Sequence, residues 1–424
     1  MGINIDIFQA LPQGGLVFNV LSACNAEKVN LSEACTVQFD SSNEFQSIGN
    51  ISKGNLTAEP GIAGMGVWIG TAYTLLVILA VFGVVAFEYA PRWVFGRILK
   101  QNSRGHMYVT RPIWAFSDPQ DNESKFRQAI RSLVLGIADT QMVLVIAQTL
   151  NFVTLGKCSL SAYHFRAAID AMLISFSCVV LSVAAVRSYW RSKPTAILRL
   201  IFSIGIYICI SIVIYSGTSY ATDWPPPTST NDSLIVFPVA CLLENDLFAE
   251  VQSRLDKQPN AMRGSIDSLA FPVEIVFLDI LGPAFAFAHL ASIVRRGYGR
   301  HGEGNNVVTI WINKWHGILA AVYWSFVTIP PTAIAIWCWV KIGQARYWVS
   351  NSGWQGNPNP EDSIWDTGQL VPLLSFILFL VSVSNTVWER KIQKNTEQPE
   401  LDDIELLPRR HGERSPLGQW QTIP

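Results

Sequence analysis

The sequence predicts an all-α integral membrane protein, a polytopic bundle of seven transmembrane helices with its N-terminus outside and its C-terminus in the cytosol. Three observations predict it: long apolar runs, a low charged fraction, and basic residues gathered in alternate connecting segments. Each apolar run comes close to, or exceeds, the roughly 20 residues that a helix needs to cross the hydrocarbon core. The runs cover residues 66–87, 132–155, 167–186, 197–217, 269–294, 316–340 and 370–388.

The composition is that of a membrane protein rather than of a soluble domain. Half of the residues are hydrophobic and 15% are charged, whereas soluble domains carry about 25% charged residues. The net charge of −1 gives no reason to expect nucleic acid as a partner, so the predicted partner is the lipid bilayer. We therefore divide the chain into an extracellular or lumenal segment (1–65), the bundle (66–388) and a disordered cytosolic tail (389–424).

Basic residues and sequons predict the same orientation. Most of the 31 Lys and Arg residues lie in segments that face the cytosol if the N-terminus is outside, as the positive-inside rule requires. Sequons for N-glycosylation at Asn30, Asn50, Asn55 and Asn231 then fall outside, and the sequon at Asn122 falls inside and should stay unmodified. The plasma membrane or an endomembrane is expected. Residues 402–407 resemble an acidic dileucine sorting signal, which would indicate the vacuole.

Four of the seven cysteines fall on the predicted outer side, where disulfides form. Cys24 and Cys35 lie in the N-terminal segment, Cys158 precedes the third run, and Cys241 lies between the fourth and fifth. The expected bridges are Cys24–Cys35 and Cys158–Cys241, the second tying the long outer loop to the mouth of the bundle.

Polar side chains inside the apolar runs are the candidate functional residues, because each costs free energy in the bilayer. The second run contains a polar stripe, and the fifth run contains two acids and a histidine; the candidates are Asp139, Gln141, Gln148, Glu274, Asp279 and His289. They predict a proton, cation or ligand site, with hydrogen-bonded contacts between helices as the alternative. In the third run, Arg166 and Asp170 lie four residues apart on one helix face, where they can neutralise each other.

No catalytic signature is found in the sequence. A nucleophile elbow, Cys-x-x-Cys, His-Glu-x-x-His and a phosphate-binding loop are all missing. We therefore expect no cofactor, no metal and no catalytic residues, and an enzyme is the less favoured reading. The layout is similar to that of G-protein-coupled receptors in topology only, since the third run lacks their acidic-Arg-Tyr sequence and the seventh lacks Asn-Pro-x-x-Tyr.

Three short stretches resemble a family of uncharacterised multi-pass membrane proteins from filamentous ascomycete fungi. Residues 59–66, Glu-Pro-Gly-Ile-Ala-Gly-Met-Gly, resemble the family's Asn-Pro-Asp-(Ile/Val)-(Ala/Ser)-Gly-Ile-Gly. Residues 139–141, Asp-Thr-Gln, and 160–164, Leu-Ser-Ala-Tyr-His, are similar to its Glu-Thr-Gln and Leu-Ser-x-(Tyr/Phe)-His. The resemblance implies no activity. The motif positions that it singles out are Gly64, Gly66, Gln141 and His164.

The sequence leaves three functions open. The first is a receptor or sensor, with a small-molecule ligand outside and a cytosolic protein partner at the basic loops 187–196 and 295–315. The second is a transporter or channel for a small solute or cation. The third is a membrane-embedded accessory enzyme of a fungal secondary-metabolite pathway.

Overall fold

In a computed structural model of the chain, the residues described are 8–10, 16–18, 24, 31–40, 45–49, 51–80, 83, 125–154, 158, 160–186, 189–190, 193–216, 224–228, 231–243, 273–300, 307–356 and 361. All of them belong to one compact unit, Met1–Phe379. The predicted seventh span (370–388) and the predicted tail (389–424) lie outside the described residues.

Six helices in the described part of the chain are long and apolar enough to cross a membrane. They correspond to the first six of the seven predicted spans. The described part of the chain is mostly helical and contains a few short strands. The candidate spans are Gly61–Ala80, Ser132–Thr149, Ala162–Ala185, Lys193–Tyr215, Val273–Ile293 and Ser325–Ser352. The chain is therefore compatible with a multi-pass integral membrane protein.

The chain consists of long membrane-crossing helices and of short helices and strands that precede or connect them. The helices are α1 (Leu31–Ala34), α2 (Pro60–Ala63), α3 (65–80), α4 (Lys125–Thr154), α5 (Ala162–Ala185), α6 (Lys193–Ser216), α7 (Val239–Leu243), α8 (Val273–Arg300) and α9 (Val307–Ser352). The strands are β1 (Phe8–Ala10), β2 (Leu16–Phe18), β3 (Val37–Phe39), β4 (Phe45–Ile48) and β5 (Ile51–Ser52). Strands β1 and β2 pair antiparallel, and β3, β4 and β5 form an antiparallel sheet in which Val37 faces Ile48 and Ser47 faces Ser52.

Helix α5 is the centre of the bundle. Every residue from Ala162 to Ala184 is buried, and α4, α6, α8 and α9 all pack on it. A helix that is apolar on all faces is buried on all faces, and the many alanines and serines of α5 let neighbouring backbones approach closely. The helix begins at Ser161, whose side chain accepts the backbone N–H of His164.

Helix α6 lies at the outside of the bundle and exposes a broad apolar surface. Only 28% of its candidate span is buried, in contrast to the whole of α5. The exposed side chains include Ile197, Leu198, Ile201, Phe202, Ile204 and Ile208. Such a surface is unfavourable in water but is the expected surface toward lipid tails.

The sixth span is displaced from its predicted position. The sequence places it at 316–340, ending before Lys341, but the candidate span is Ser325–Ser352 within one 46-residue helix, α9. The helix continues because both basic side chains find partners. Lys341 Nζ donates to Glu274 Oε1 at 3.3 Å, and the Arg346 guanidinium donates to the backbone carbonyls of Ala63 and Glu361.

The short elements form a layer, here called the cap, over the end of the bundle where α5 begins. The cap comprises the described residues within 24–59, 158–161, 224–243 and 354–361. Its segments are joined by backbone hydrogen bonds: the N–H groups of Gly54 and Leu56 donate to the Trp354 carbonyl, and Val239 N–H donates to the Leu160 carbonyl at 2.8 Å.

Both predicted disulfide pairings are wrong. The same four cysteines are bonded, but as Cys24–Cys158 and Cys35–Cys241. Cys24 lies against the segment before α5 and Cys35 lies against α7, so each meets a distant part of the chain rather than its neighbour in the sequence. The two bridges therefore fasten the N-terminal part of the cap to the start of α5 and to α7.

Two of the sequons lie on the surface of the cap. Asn55 is exposed, with its side-chain amide donating to Ser52 Oγ at 2.7 Å, and Asn231 is exposed beside the turn that precedes α7. Asn30, Asn50 and Asn122 lie outside the described residues. Glycosylation at these positions stays a prediction.

Candidate functional site

A buried ionic cluster joins three membrane helices just below the cap. The Glu274 carboxylate, in the first turn of α8, accepts Arg166 Nη1 of α5 at 3.1 Å and Lys341 Nζ of α9 at 3.3 Å. The side chains are between 4% and 11% exposed. A carboxylate with both oxygens paired to cations is the arrangement that makes burial of charge tolerable.

Asp170 brings a second acid to the same region. It is completely buried one turn below Arg166 on α5, and its Oδ2 accepts Trp224 Nε1 of the cap at 2.7 Å. Its surroundings also include Cys338, Lys341 and Glu274. The expected Arg166–Asp170 pair is thus replaced by separate partners, since Arg166 donates to Glu274 and Asp170 accepts from Trp224.

The Glu361 carboxylate lies where the cap meets α5. Its Oε1 lies 2.7 Å from His164 Nε2 and accepts the backbone N–H of Glu59 at 3.1 Å, and its Oε2 accepts the Tyr163 hydroxyl at 3.1 Å. His164 Nδ1 lies 2.7 Å from Ser161 Oγ. Because a serine hydroxyl can donate or accept, this partner suits both the neutral and the protonated imidazole.

The contacts of Glu361 decide its ionisation. Burial by itself would raise the pKa of this carboxyl group, but the hydrogen bond and attraction of His164, together with the Glu59 N–H, outweigh burial and lower the pKa below its ordinary value of 4.5. The ionised form therefore stabilises the folded cap.

Replacing Glu361 with glutamine should remove a pH-dependent part of the stability. A lowered folded-state pKa gives stabilisation that is present above the ordinary carboxyl value and is lost as the pH falls through the folded-state value. The melting temperature of the parent should exceed that of Glu361→Gln most at about pH 7, and the difference should narrow below about pH 4. A difference that is constant with pH would contradict an ionised Glu361.

We call the six side chains His164, Arg166, Asp170, Glu274, Lys341 and Glu361 the polar core. Three of them lie within the first nine residues of α5, over about 9 Å of helix axis. The polar core thus connects the cap, through Glu361 and Trp224, with α5, α8 and α9.

Gln141, a predicted site residue and motif position, makes a separate contact between helices. Its Nε2 donates to Thr74 Oγ1 of α3 at 3.3 Å, and its Oε1 accepts Ser175 Oγ of α5 at 2.7 Å. The amide joins α3, α4 and α5 and is 4% exposed. Gln148 is half-buried further along α4, and its Oε1 has no hydrogen-bond partner in the described part of the chain.

Replacing Gln141 with leucine should destabilise the bundle modestly. It would remove two hydrogen bonds and leave two buried hydroxyl groups to find other partners, which costs about 1–2 kcal/mol in comparable cases. We expect a small fall in the melting temperature of the purified protein. A Leu variant as stable as the parent would show that these hydrogen bonds contribute nothing.

Asp139 pairs with a base on another helix. Arg199 of α6 donates from Nε to Oδ1 at 2.7 Å and from Nη2 to Oδ2 at 2.6 Å, a bidentate pair that ties α4 to α6 near the end of the bundle opposite the cap. The Asp139 side chain is 44% exposed. Nearby Tyr189 is buried, which raises the pKa of its phenol to about 12, so this hydroxyl stays protonated.

His289 lies in an aromatic environment at the same end. Its ring centroid is 4.5 Å from that of Phe285, 5.2 Å from Tyr189 and 6.1 Å from Trp190, all edge to face. The residue is 4% exposed, and within the described residues neither ring nitrogen has a hydrogen-bond partner.

Asp279 lies on the outer surface of α8, away from the polar core. It is exposed, and the hydroxyl of Tyr215 on α6 donates to its Oδ1 at 3.4 Å. The structure therefore does not bring the six candidate residues together. Glu274 belongs to the polar core, and the other five occupy separate positions.

Sequence reasoning named four of the six polar-core residues without grouping them, and it missed Lys341 and Glu361. The signal was present for Arg166, Asp170 and Lys341, which are charged residues inside or at the edge of apolar runs. Nothing in the sequence indicated Glu361, which lies in a polar loop. His164 was singled out by its motif, whereas Gly64 and Gly66 lie where α3 begins, with the Gly64 carbonyl accepting Trp68 N–H at 3.2 Å.

The described residues do not indicate a metal centre, because no group of three or more of their His, Cys, Asp or Glu side chains could hold an ion.

Comparison with known protein families, curated proteins and solved structures finds no match for the chain. Function must therefore be argued from the geometry of the polar core.

Proposed function

We propose that the chain is a receptor- or sensor-like membrane protein that detects a condition or small ligand on the side of the cap. The observation that carries this proposal is that two cap side chains, Glu361 and Trp224, hydrogen-bond directly to α5 side chains of the polar core. A change in the position of the cap would therefore act on buried charges rather than on lipid-facing surface.

The polar core is suited to transmit such a change. Glu274 is shared by Arg166 and Lys341, so a shift of α5 alters the balance between the two ion pairs on α8 and α9. Buried charges are not stable without partners. The three side chains therefore favour a small number of distinct pairings over a gradual change in their distances. Helices α8 and α9 extend to the opposite end of the bundle, where the basic segment 295–315 is the proposed contact for a cytosolic protein.

We also propose the orientation in which the cap is extracellular or lumenal. Two disulfides and the exposed sequons Asn55 and Asn231 in the cap support it, because both modifications belong to the secretory pathway. A tag after Pro424 should then be digested by protease added from the cytosolic side of sealed microsomes. Protection of that tag would overturn the orientation.

A likeness to the fungal multi-pass proteins is likewise proposed. It is supported by two motif positions, Gln141 and His164, that make buried polar contacts.

A transporter or channel is the second candidate, favoured by the number of ionisable groups at membrane depth. Vesicles that contain the purified full chain separate the two. A sensor predicts the same ion leak as protein-free vesicles under an imposed proton or potassium gradient. A flux that follows the gradient would favour transport and contradict the sensor.

A further inference from the structure

The exposed face of α8 is an apolar stripe interrupted by one carboxylate. Val276, Phe287, Leu290 and Ile293 are exposed on this face, and Asp279 is exposed among them. Asp279 lies six residues from the start of the candidate span Val273–Ile293, about 9 Å along the helix axis. A bilayer would therefore place the carboxylate against lipid tails.

A carboxylate in that position needs a partner. An acid at membrane depth costs at least a few kcal/mol unless it is paired, and such residues almost always face protein. The Tyr215 hydroxyl, at 3.4 Å, supplies a long hydrogen bond, and within the part of the chain that the structure describes no basic side chain comes within ion-pair distance of Asp279.

The basic side chains that the structure describes in ion pairs at membrane depth are bonded to other acids. Arg166 and Lys341 pair with Glu274, and Arg199 pairs with Asp139. The predicted seventh span, 370–388, contains no Lys or Arg in its sequence. A second copy of the chain that met this surface with its own α8 face would bring another acid rather than a base. The described part of the chain therefore supplies no countercharge for Asp279, and a basic side chain of another molecule would supply it.

We propose that the α6–α8 face around Asp279 is the docking surface for a second membrane protein, whose transmembrane helix carries one Lys or Arg about two turns below its outer end. The neighbouring exposed apolar side chains of α6 and α8 suit packing against such a helix, and Asp279 would select it by charge. This surface lies apart from the polar core, so the proposal does not depend on the sensor function.

The test uses the full chain in the membranes of its own host cell, with a photoreactive amino acid in place of Val276. We expect a cross-link to one membrane protein whose sequence has a Lys or Arg at the stated depth. Asp279→Leu should lower the cross-link yield about ten-fold, because the association constant falls about ten-fold when the charge pair is lost. Asp279→Glu should leave the yield unchanged. Ile336→Ala, an exposed apolar residue on α9 outside this face, is the matched control and should leave the yield unchanged.

Charge exchange completes the test. Asp279→Lys should abolish the cross-link, and placing Asp at the partner's basic position should restore it. A cross-link to lipid, to a second copy or to residues of the same chain would overturn the proposal. A partner with no membrane base, or a yield that Asp279→Leu leaves unchanged, would overturn it as well.

Discussion

Replacing Glu274 with leucine should prevent most of the protein from reaching a folded, detergent-stable state. The substitution removes the carboxylate shared by Arg166 and Lys341 and leaves two buried cations without a countercharge. Removing one partner of a buried ion pair costs about 3–5 kcal/mol, a large fraction of the stability of most proteins. The measurement is the yield of monodisperse protein in size-exclusion chromatography and its melting temperature.

Two further variants make the Glu274 result specific. Val276→Leu changes an exposed residue on the same helix and should behave like the parent. The triple variant Arg166→Met, Glu274→Leu, Lys341→Met removes all three charges of the cluster, and it should recover much of the lost yield because neither cation is left buried without a countercharge. A Glu274→Leu protein with the melting temperature of the parent would show that the cluster is not buried as the structure has it.

Removing the disulfide between Cys35 and Cys241 should detach the N-terminal part of the cap. The bridge spans 206 residues of sequence, and the chain-entropy relation gives about 5 kcal/mol for a loop of that length. The membrane helices restrict the unfolded chain, so this figure is an upper bound. The double variant Cys35→Ala, Cys241→Ala should melt well below the parent and expose its cap to protease.

The pairing itself is read from peptides prepared without reduction. We expect cross-linked peptides that contain Cys24 with Cys158 and Cys35 with Cys241. Cys209→Ala removes a free, half-buried cysteine and is the matched control. A peptide that joins Cys24 to Cys35 would contradict the structure of the cap, and so would a double variant with unchanged stability.

Hydrophobicity predicted the first six spans, because length and apolarity are properties of each segment alone. It failed at Lys341 and Arg346, where partners on other segments allow α9 to continue beyond the predicted end. The four bonded cysteines could be identified from the sequence, because all of them lie outside the apolar runs. Their pairing was not predictable, because it depends on which distant segments fold against Cys24 and Cys35.

For the candidate site too, the sequence shows which residues are polar, but it does not show what they contact. Intramembrane acids can be read directly from the sequence, so Glu274, Asp139 and Asp279 were all identified. Their environments cannot be read from the sequence. Glu274 is paired with two bases, Asp139 is partly exposed and paired with Arg199, and Asp279 faces outward. Helix rotation and contacts between distant segments decide these differences. Glu361 is the extreme case, because only folding brings it to His164, 197 residues away in sequence.

The most direct measurement of sensing is the distance between the ends of α8 and α9 that lie away from the cap. Spin labels within 294–300 and within 307–313 would report that distance in lipid nanodiscs. We predict that Glu361→Gln and Trp224→Leu each shift the distance distribution, because each breaks a contact between the cap and the polar core. Lys53→Met, which removes a surface ion pair with Asp232 and a cation–π contact with Trp354 within the cap, should leave it unchanged. Identical distributions in all four proteins would contradict coupling between the cap and the far ends of the helices.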